Sequence, residues 1–465
     1  MKNLKIAIKI FVLFIIIASF NTTDKTILKK EEKKPNIVFI VVDDLGYSDV
    51  GYMNYKEEIQ TPNIDKLVTN GMVFTDAYAA APVCSPTRAS IMTGKSPAAL
   101  KLTCHIPGMG MEKYLKKLNK GKKLKEGYFI DHLPQKEVTI AEVLKTQGYS
   151  TGYIGKWHLG GDGSMYTNDG IVNPDYLPNK YGFDTNVGGN AYGQPASYFS
   201  PYKNGTLKDG PVGEYLTDRL GDEAIYFIEK NKNQPFFLNF ATYTVHTPLA
   251  APVETMNKYD GNKYFAMIEK LDQNVGKIMQ KLKALDLLEN TIIIFYSDNG
   301  GLWGNLPLKG KKGTLNEGGI RVPMVVNWKG KIKLGSSCNT PVTSVDLYPT
   351  LLQLAGISTK NYTELEGQSL LPLLYGESTF TKRSLYWHFP HHRKEGLSMG
   401  AAIRNGKWKY IYQFETQKEF LYNLEEDISE QHNLVSKFPQ RTKELSKELK
   451  QWQHNVKAEM PAINN

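Results

Sequence analysis

Three cysteines in 465 residues, at positions 84, 104 and 338, are too few for a disulfide scaffold. Long apolar runs are missing as well. The N-terminal run Ile10-Phe11-Val12-Leu13-Phe14-Ile15-Ile16-Ile17-Ala18 is too short to span a bilayer comfortably. It follows Lys2, Lys5 and Lys9, so residues 1–23 read as a cleavable signal peptide, with a membrane anchor as the alternative. No cysteine follows that run, which removes support for a lipoprotein anchor. Once the signal is removed, no stable membrane span is expected. Internal repeats, low-complexity segments and nucleic-acid-binding motifs are also lacking, and the basic residues are scattered, so no nucleic acid partner is expected.

What remains is an ordinary globular composition, 41% hydrophobic, with a net charge of +10. The length suits one large α/β core plus a smaller domain. The expected division is a linker over 24–34, a catalytic domain over 35–375 and a C-terminal α+β subdomain over 376–465. The basic balance suits a polyanionic substrate. The Lys116–Lys125 cluster reads as a solvated loop or helix face.

Four short apolar runs end in chemistry. Residues 35–42 read Pro-Asn-Ile-Val-Phe-Ile-Val-Val and lead into Asp43-Asp44, while residues 291–297 lead into Asp298-Asn299-Gly300. Residues 148–155 lead into Lys156-Trp157-His158, and residues 235–241 lead toward His246. The first two, continuously apolar and β-branched, predict strands covered on both faces. Between them lie helical periodicities such as Tyr264 to Leu285, so the fold expected is α/β with a mainly parallel sheet flanked by helices. Ligands of such sheets bind beyond the carboxyl ends of the strands. One Asp-Asp or Asp-Asn-Gly is usually a turn, but four polar strand ends are hard to explain that way.

Carboxylates with an amide oxygen make a hard-cation site, favouring Ca²⁺ or Mg²⁺ over zinc. Added lysines would offset charge on a tetrahedral oxyanion, and histidines would supply base and acid. Hydrolysis of an oxyanion ester would need this set. The string Cys84-Ser85-Pro86-Thr87-Arg88-Ala89-Ser90-Ile91-Met92-Thr93-Gly94 adds a cysteine at the positive end of a short helix that Gly94 would close.

That eleven-residue string resembles the signature of the formylglycine-dependent sulfatases. Residues 36–51, 148–160, 298–300 and 310–323 resemble further motifs of the family, in order, and the likeness runs from Asn36 to about Asn433. The resemblance implies an alkaline phosphatase-like fold and oxidation of Cys84 to formylglycine by a formylglycine-generating or anaerobic sulfatase-maturating enzyme. It implies one Ca²⁺ held by Asp43, Asp44, Asp298, Asn299 and residue 84. It also implies Arg88 and His158 on the nucleophile, His246 as the acid, and Lys156 and Lys312 on the sulfate. Lys309 and Lys311 are rivals to Lys312, which fits the Lys-Gly-Thr and Glu-Gly-Gly register best.

The expected substrate is a sulfated oligo- or polysaccharide such as ulvan, carrageenan or a glycosaminoglycan, met after export, most simply to the periplasm. A phosphoester or phosphonate hydrolase on the same fold is the rival activity, and a catalytically silent glycan-binding protein is the rival class. Loops should set specificity. Its candidates are His105, Asn190 in the stretch 188–202, Trp303, His388 and His391 in the group 388–392, and Arg404.

Overall fold

The computed structural model describes residues 33–161, 173–393 and 399–464. The signal peptide and nearly all of the linker expected from the sequence lie outside the described residues.

The main sheet has eight strands: β1 (Asn36–Val42), β2 (Gly71–Phe74), β3 (Ser150–Gly155), β4 (Thr185–Val187), β5 (Phe236–Ala241), β6 (Thr291–Ser297), β7 (Met324–Asn327) and β8 (Ser336–Cys338). Their order across the sheet is β8-β2-β7-β6-β1-β5-β3-β4. The sheet is mixed: β7 runs antiparallel to both of its neighbours. The four central strands β6, β1, β5 and β3 are parallel and adjacent. Their carboxyl ends therefore deliver residues 298–299, 43–44, 242–246 and 156–158 to one edge.

Alternation along these strands builds two cores. Ile37, Phe39 and Val41 of β1 and Ile292, Ile294 and Tyr296 of β6 face one layer of helices, α1 (Cys84–Thr93), α2 (Ile140–Thr146) and α5 (Leu347–Leu354). The intervening Val38, Ile40, Val42, Ile293 and Phe295 face the other layer, α3 (Leu216–Lys230) and α4 (Lys263–Ala284). A strand apolar at every position is what a sheet covered on both sides requires. Helix α1 is buried along its whole length, and Gly94 ends it with φ +69°, a conformation glycine adopts without a Cβ penalty.

A second, antiparallel sheet holds β9 (Leu385–Phe389), β10 (Gly400–Asn405), β11 (Trp408–Gln413) and β12 (Glu419–Asn423), in that order. One face carries Leu385, Trp387, Phe389, Ala402 and Ile411 onto Tyr78, Val83, Leu315 and Ile320 of the main domain. The other face carries Ala401, Ile403 and Leu421 onto Leu445 and Leu449 of helix α6 (Pro439–Asn455). No helix among the described residues is long and apolar enough to cross a membrane.

Candidate active site

Asp43 and Asp44 leave β1 side by side and fully buried. Asp43 Oδ2 accepts from Lys156 Nζ at 2.7 Å. Asp44 Oδ1 accepts from Asn299 Nδ2 at 2.8 Å and pairs with Lys312 Nζ at 2.6 Å. Asp298, at the end of β6, takes both Nε and Nη2 of Arg88 on Oδ2 at 2.8 Å. Arg88 Nη1 then donates to the Lys156 carbonyl at 2.7 Å, tying α1 to the end of β3.

Among the described residues, three buried oxygens in this group have no hydrogen-bond partner: Asp43 Oδ1, Asp44 Oδ2 and Asn299 Oδ1. Buried polar atoms are rarely left so. Burial pushes the Asp43 carboxyl up to about 8, with Asp298 and Asp44 adding to the rise against Lys156. Clustered carboxylates with spare oxygens fit a hard cation, which would satisfy the orphaned atoms and balance the charge. Asp43, Cys84 and Asp298 offer ligand atoms within 4.8 Å of one another.

Cys84 opens α1, where the helix dipole favours an anion. His158 faces it, with Nδ1 3.3 Å from Sγ. The tautomer follows from the other nitrogen. His158 Nε2 lies 2.9 Å from the Ile106 carbonyl, which only accepts, so Nε2 carries the proton and Nδ1 presents a lone pair to residue 84. Burial, reinforced by Lys156, holds His158 well below the usual imidazole range. Gly193 lies against this ring: a Cβ there would sit 2.4 Å from Cε1.

His246 is wired the opposite way. Its Nδ1–H donates to the Thr247 carbonyl at 2.7 Å, which leaves Nε2 as the free nitrogen, 3.7 Å from Asp44 Oδ2. Burial and then the Lys312 cation draw it down to about 3, against the pull of Asp44. Burial also opposes the charge of Lys312, yet Asp44 holds that ammonium above its ordinary range. Lys309 Nζ instead donates to the Glu430 carbonyl, which separates it from Lys312.

The cleft above these groups encloses about 640 Å³ and is lined by Cys84, His158, His246 and Lys312, with His105, Tyr192, Gln194 and Arg393 among the wall residues. His105 thus stands at the cleft. The other specificity candidates have different places. Asn190 is buried behind the wall, where its carbonyl accepts the His158 N–H at 3.0 Å. Trp303 is 47% exposed and packs edge-on against Tyr264. His388 bonds the Glu459 carbonyl, His391 bonds Glu126, and Arg404 pairs with Asp76, all buried beneath the second sheet or at its margins. The carbonyls of Ile106 and Thr247, Gly193 and Arg393 were not singled out from sequence. A backbone carbonyl leaves no sequence signal, and Arg393 stands at the end of a histidine-rich stretch whose imidazoles are the more conspicuous site candidates.

A large sheet gathering carboxylates, a helix-borne nucleophile position and two opposed imidazoles at one edge defines an alkaline phosphatase-like hydrolase. The sulfatase family profile matches residues 35–357, and that of the N-sulphoglucosamine sulphohydrolase C-terminal region matches 311–459. The chain belongs to the sulfatase family. A sulfatase of Formosa agariphila is 31% identical, over 90% of this chain and 88% of the relative. Arylsulfatase A of Homo sapiens is 32% identical, over 92% and 89% respectively. The crystal structure of Ps i-CgsB in complex with k-i-k-neocarrahexaose matches with a TM-score of 0.74 and 33% identity, covering 90% of this chain and 93% of that one. The protein is a sulfuric ester hydrolase.

Proposed function

We propose that this enzyme removes sulfate from a sulfated carbohydrate, using Cys84 converted to formylglycine and one bound calcium ion. The observation that carries the reading is the set of orphaned buried oxygens on Asp43, Asp44 and Asn299, beside a cysteine faced by an imidazole lone pair. The carbohydrate class rests on the likeness to the structure holding k-i-k-neocarrahexaose. Export, with the periplasm as destination, rests on the basic and then apolar N-terminus. Conversion of Cys84 requires a formylglycine-generating or anaerobic sulfatase-maturating enzyme as a partner.

Asp43, Asp44, Asp298, Asn299 and residue 84 would hold the calcium ion, which when bound supplies Lewis-acid polarisation of the ester. Formylglycine supplies a hydrated aldehyde hydroxyl as the nucleophile. The chain does the rest. His158 accepts a proton at Nδ1, its ring fixed by the Ile106 carbonyl. Arg88, locked onto Asp298, sets the angle of α1 and with it the direction of residue 84. Lys156 and Lys312 set positive charge beside the sulfate oxygens, where charge builds in the transition state. His246 delivers a proton from Nε2 to the departing sugar oxygen, and the substrate's own negative charge raises its affinity for that proton.

The test is sulfate release from a panel of defined sulfated oligosaccharides by protein made in a host with maturation machinery. Release should accompany a mass change at residue 84 and vanish in Cys84→Ala. Undiminished release by Cys84→Ala, or hydrolysis of a phosphate monoester with none of any sulfate ester, would overturn the reading.

A further inference from the structure

The cations near the reacting groups are already matched with carboxylates: Arg88 with Asp298, Lys156 with Asp43 and Lys312 with Asp44. Arg393 is different. It lines the same cleft, and among the described residues no hydrogen bond or ion pair engages its guanidinium. Among the described residues that line the cleft there is no aspartate or glutamate to balance it.

Its position is nevertheless firmly built. His391 Nδ1–H donates to Glu126 Oε2 at 3.0 Å, while Thr103 Oγ1 donates to His391 Nε2 at 2.8 Å. The next residue, His392, donates its backbone N–H to Glu126 Oε1 at 2.9 Å and its Nε2–H to the Leu124 carbonyl at 2.9 Å. The two residues before Arg393 are thus clamped to one buried carboxylate. On the other side, Arg393 Nε lies 2.8 Å from where a Cβ would stand on Gly313, so the missing side chain next to Lys312 makes room for it. Its charge is felt by a second residue of the cleft: burial and then Arg393 hold His105 well below the usual imidazole range. A guanidinium carried on a fixed backbone segment, and without a partner among the described residues, is available to an incoming anion.

We propose that Arg393 forms a subsite for a second anionic group of the substrate, a sulfate or a carboxylate borne near the ester that is cleaved. The proposal rests on the carbohydrate sulfatase reading and narrows it to substrates carrying at least two negative groups. Arginine suits either anion, since its planar fork matches both bidentately.

The test compares Arg393→Gln and Arg393→Lys with the parent enzyme. Dissociation constants and kcat/KM are measured for three disaccharides: one bearing a single sulfate, one with a second sulfate, and one with a sulfate and a uronate. A charge-assisted contact predicts that Arg393→Gln lowers the preference for a doubly charged ligand by roughly 10- to 100-fold, mainly in Kd and KM. Arg393→Lys should restore part of it, and the arm with the larger loss identifies the anion. Equal weakening for singly and doubly charged ligands, with sulfate still released, would overturn the subsite. An absence of sulfate release with the Arg393-dependent binding preference intact would defeat the reading of the reaction and support the subsite.

Discussion

Lys409 Nζ lies 2.8 Å from Glu317 Oε1, and both side chains are fully buried. The same ammonium is 3.0 Å from Glu430 Oε1, and Glu430 Oε2 accepts the backbone N–H of Glu317 at 2.8 Å. Burial opposes ionisation of Glu317, but Lys409, Arg321 and Arg404 outweigh it and hold the carboxyl down to about 2. The second sheet is therefore fastened by charge to the turn that carries Lys312, since Gly318 N–H in turn donates to the Lys309 carbonyl at 2.7 Å.

Replacing Lys409 with Met should leave two buried carboxylates short of a counter-charge. Breaking such a pair from one side costs about 3–5 kcal/mol. Denaturant unfolding should show that loss, and Lys409→Met with Glu430→Gln should recover part of it. A loss under 1 kcal/mol would mean that Arg321 and Arg404 alone suffice.

Asp43→Asn and Asp298→Asn should weaken calcium binding and lower kcat, because the cation's charge is balanced mainly by carboxylates. Titration calorimetry with Ca²⁺ and metal analysis of active protein check this. Stoichiometric zinc with neither calcium nor magnesium in active enzyme would contradict the oxygen-rich site.

The two imidazoles should separate by leaving group. His246→Ala should damage turnover of a sugar sulfate far more than that of an activated aryl sulfate, whose phenolate needs little proton assistance. General acid catalysis sets the expected gap at about 10²–10⁴-fold. His158→Ala should depress both substrates alike, because its Nδ1 serves residue 84 whatever alcohol departs. Equal losses for His246→Ala would show that the roles are exchanged.

His388 predicts acid sensitivity. Burial lowers its pKa from 6.5 to about 4, opposed by its bond to the Glu459 carbonyl. Its neutral Nδ1 accepts from Gln453 Nε2 at 3.0 Å, a contact that protonation would destroy. The unfolded chain takes the proton first as pH falls, so the stability from neutral His388 is present above pH 6.5 and is lost toward pH 4. The full effect is about 3 kcal/mol. Unfolding free energies at pH 7 and 4.5 should differ less in His388→Gln than in the parent; equal differences would refute it.

Much of this was legible because strand ends announce themselves. Val- and Ile-rich runs stop at Asp43 and Asp298, two further strands lead to Lys156 and toward His246, and parallel pairing brings the four ends to one edge. The Cys84 string likewise contained its own helix start and its closing glycine. Other features had no local signature. His391 meets Glu126 across 265 positions and Arg404 meets Asp76 across 328. A polar residue on a short strand reads the same whether it faces a cleft or a buried carboxylate. The reversed direction of β7 was equally silent, since an apolar run has no polarity.

The burial of helix α1 fixes a sequence of events. All ten of its residues, Cys84 included, are enclosed in the finished molecule, and its arginine is locked to the end of β6. If Cys84 is converted to formylglycine as proposed, the modifying enzyme would meet in the folded chain a helix buried along its whole length and tied down through Arg88. On the proposed formylglycine reading, maturation would have to come before folding, and the yield of active enzyme in a foreign host would follow how soon the modifying enzyme reaches the nascent chain.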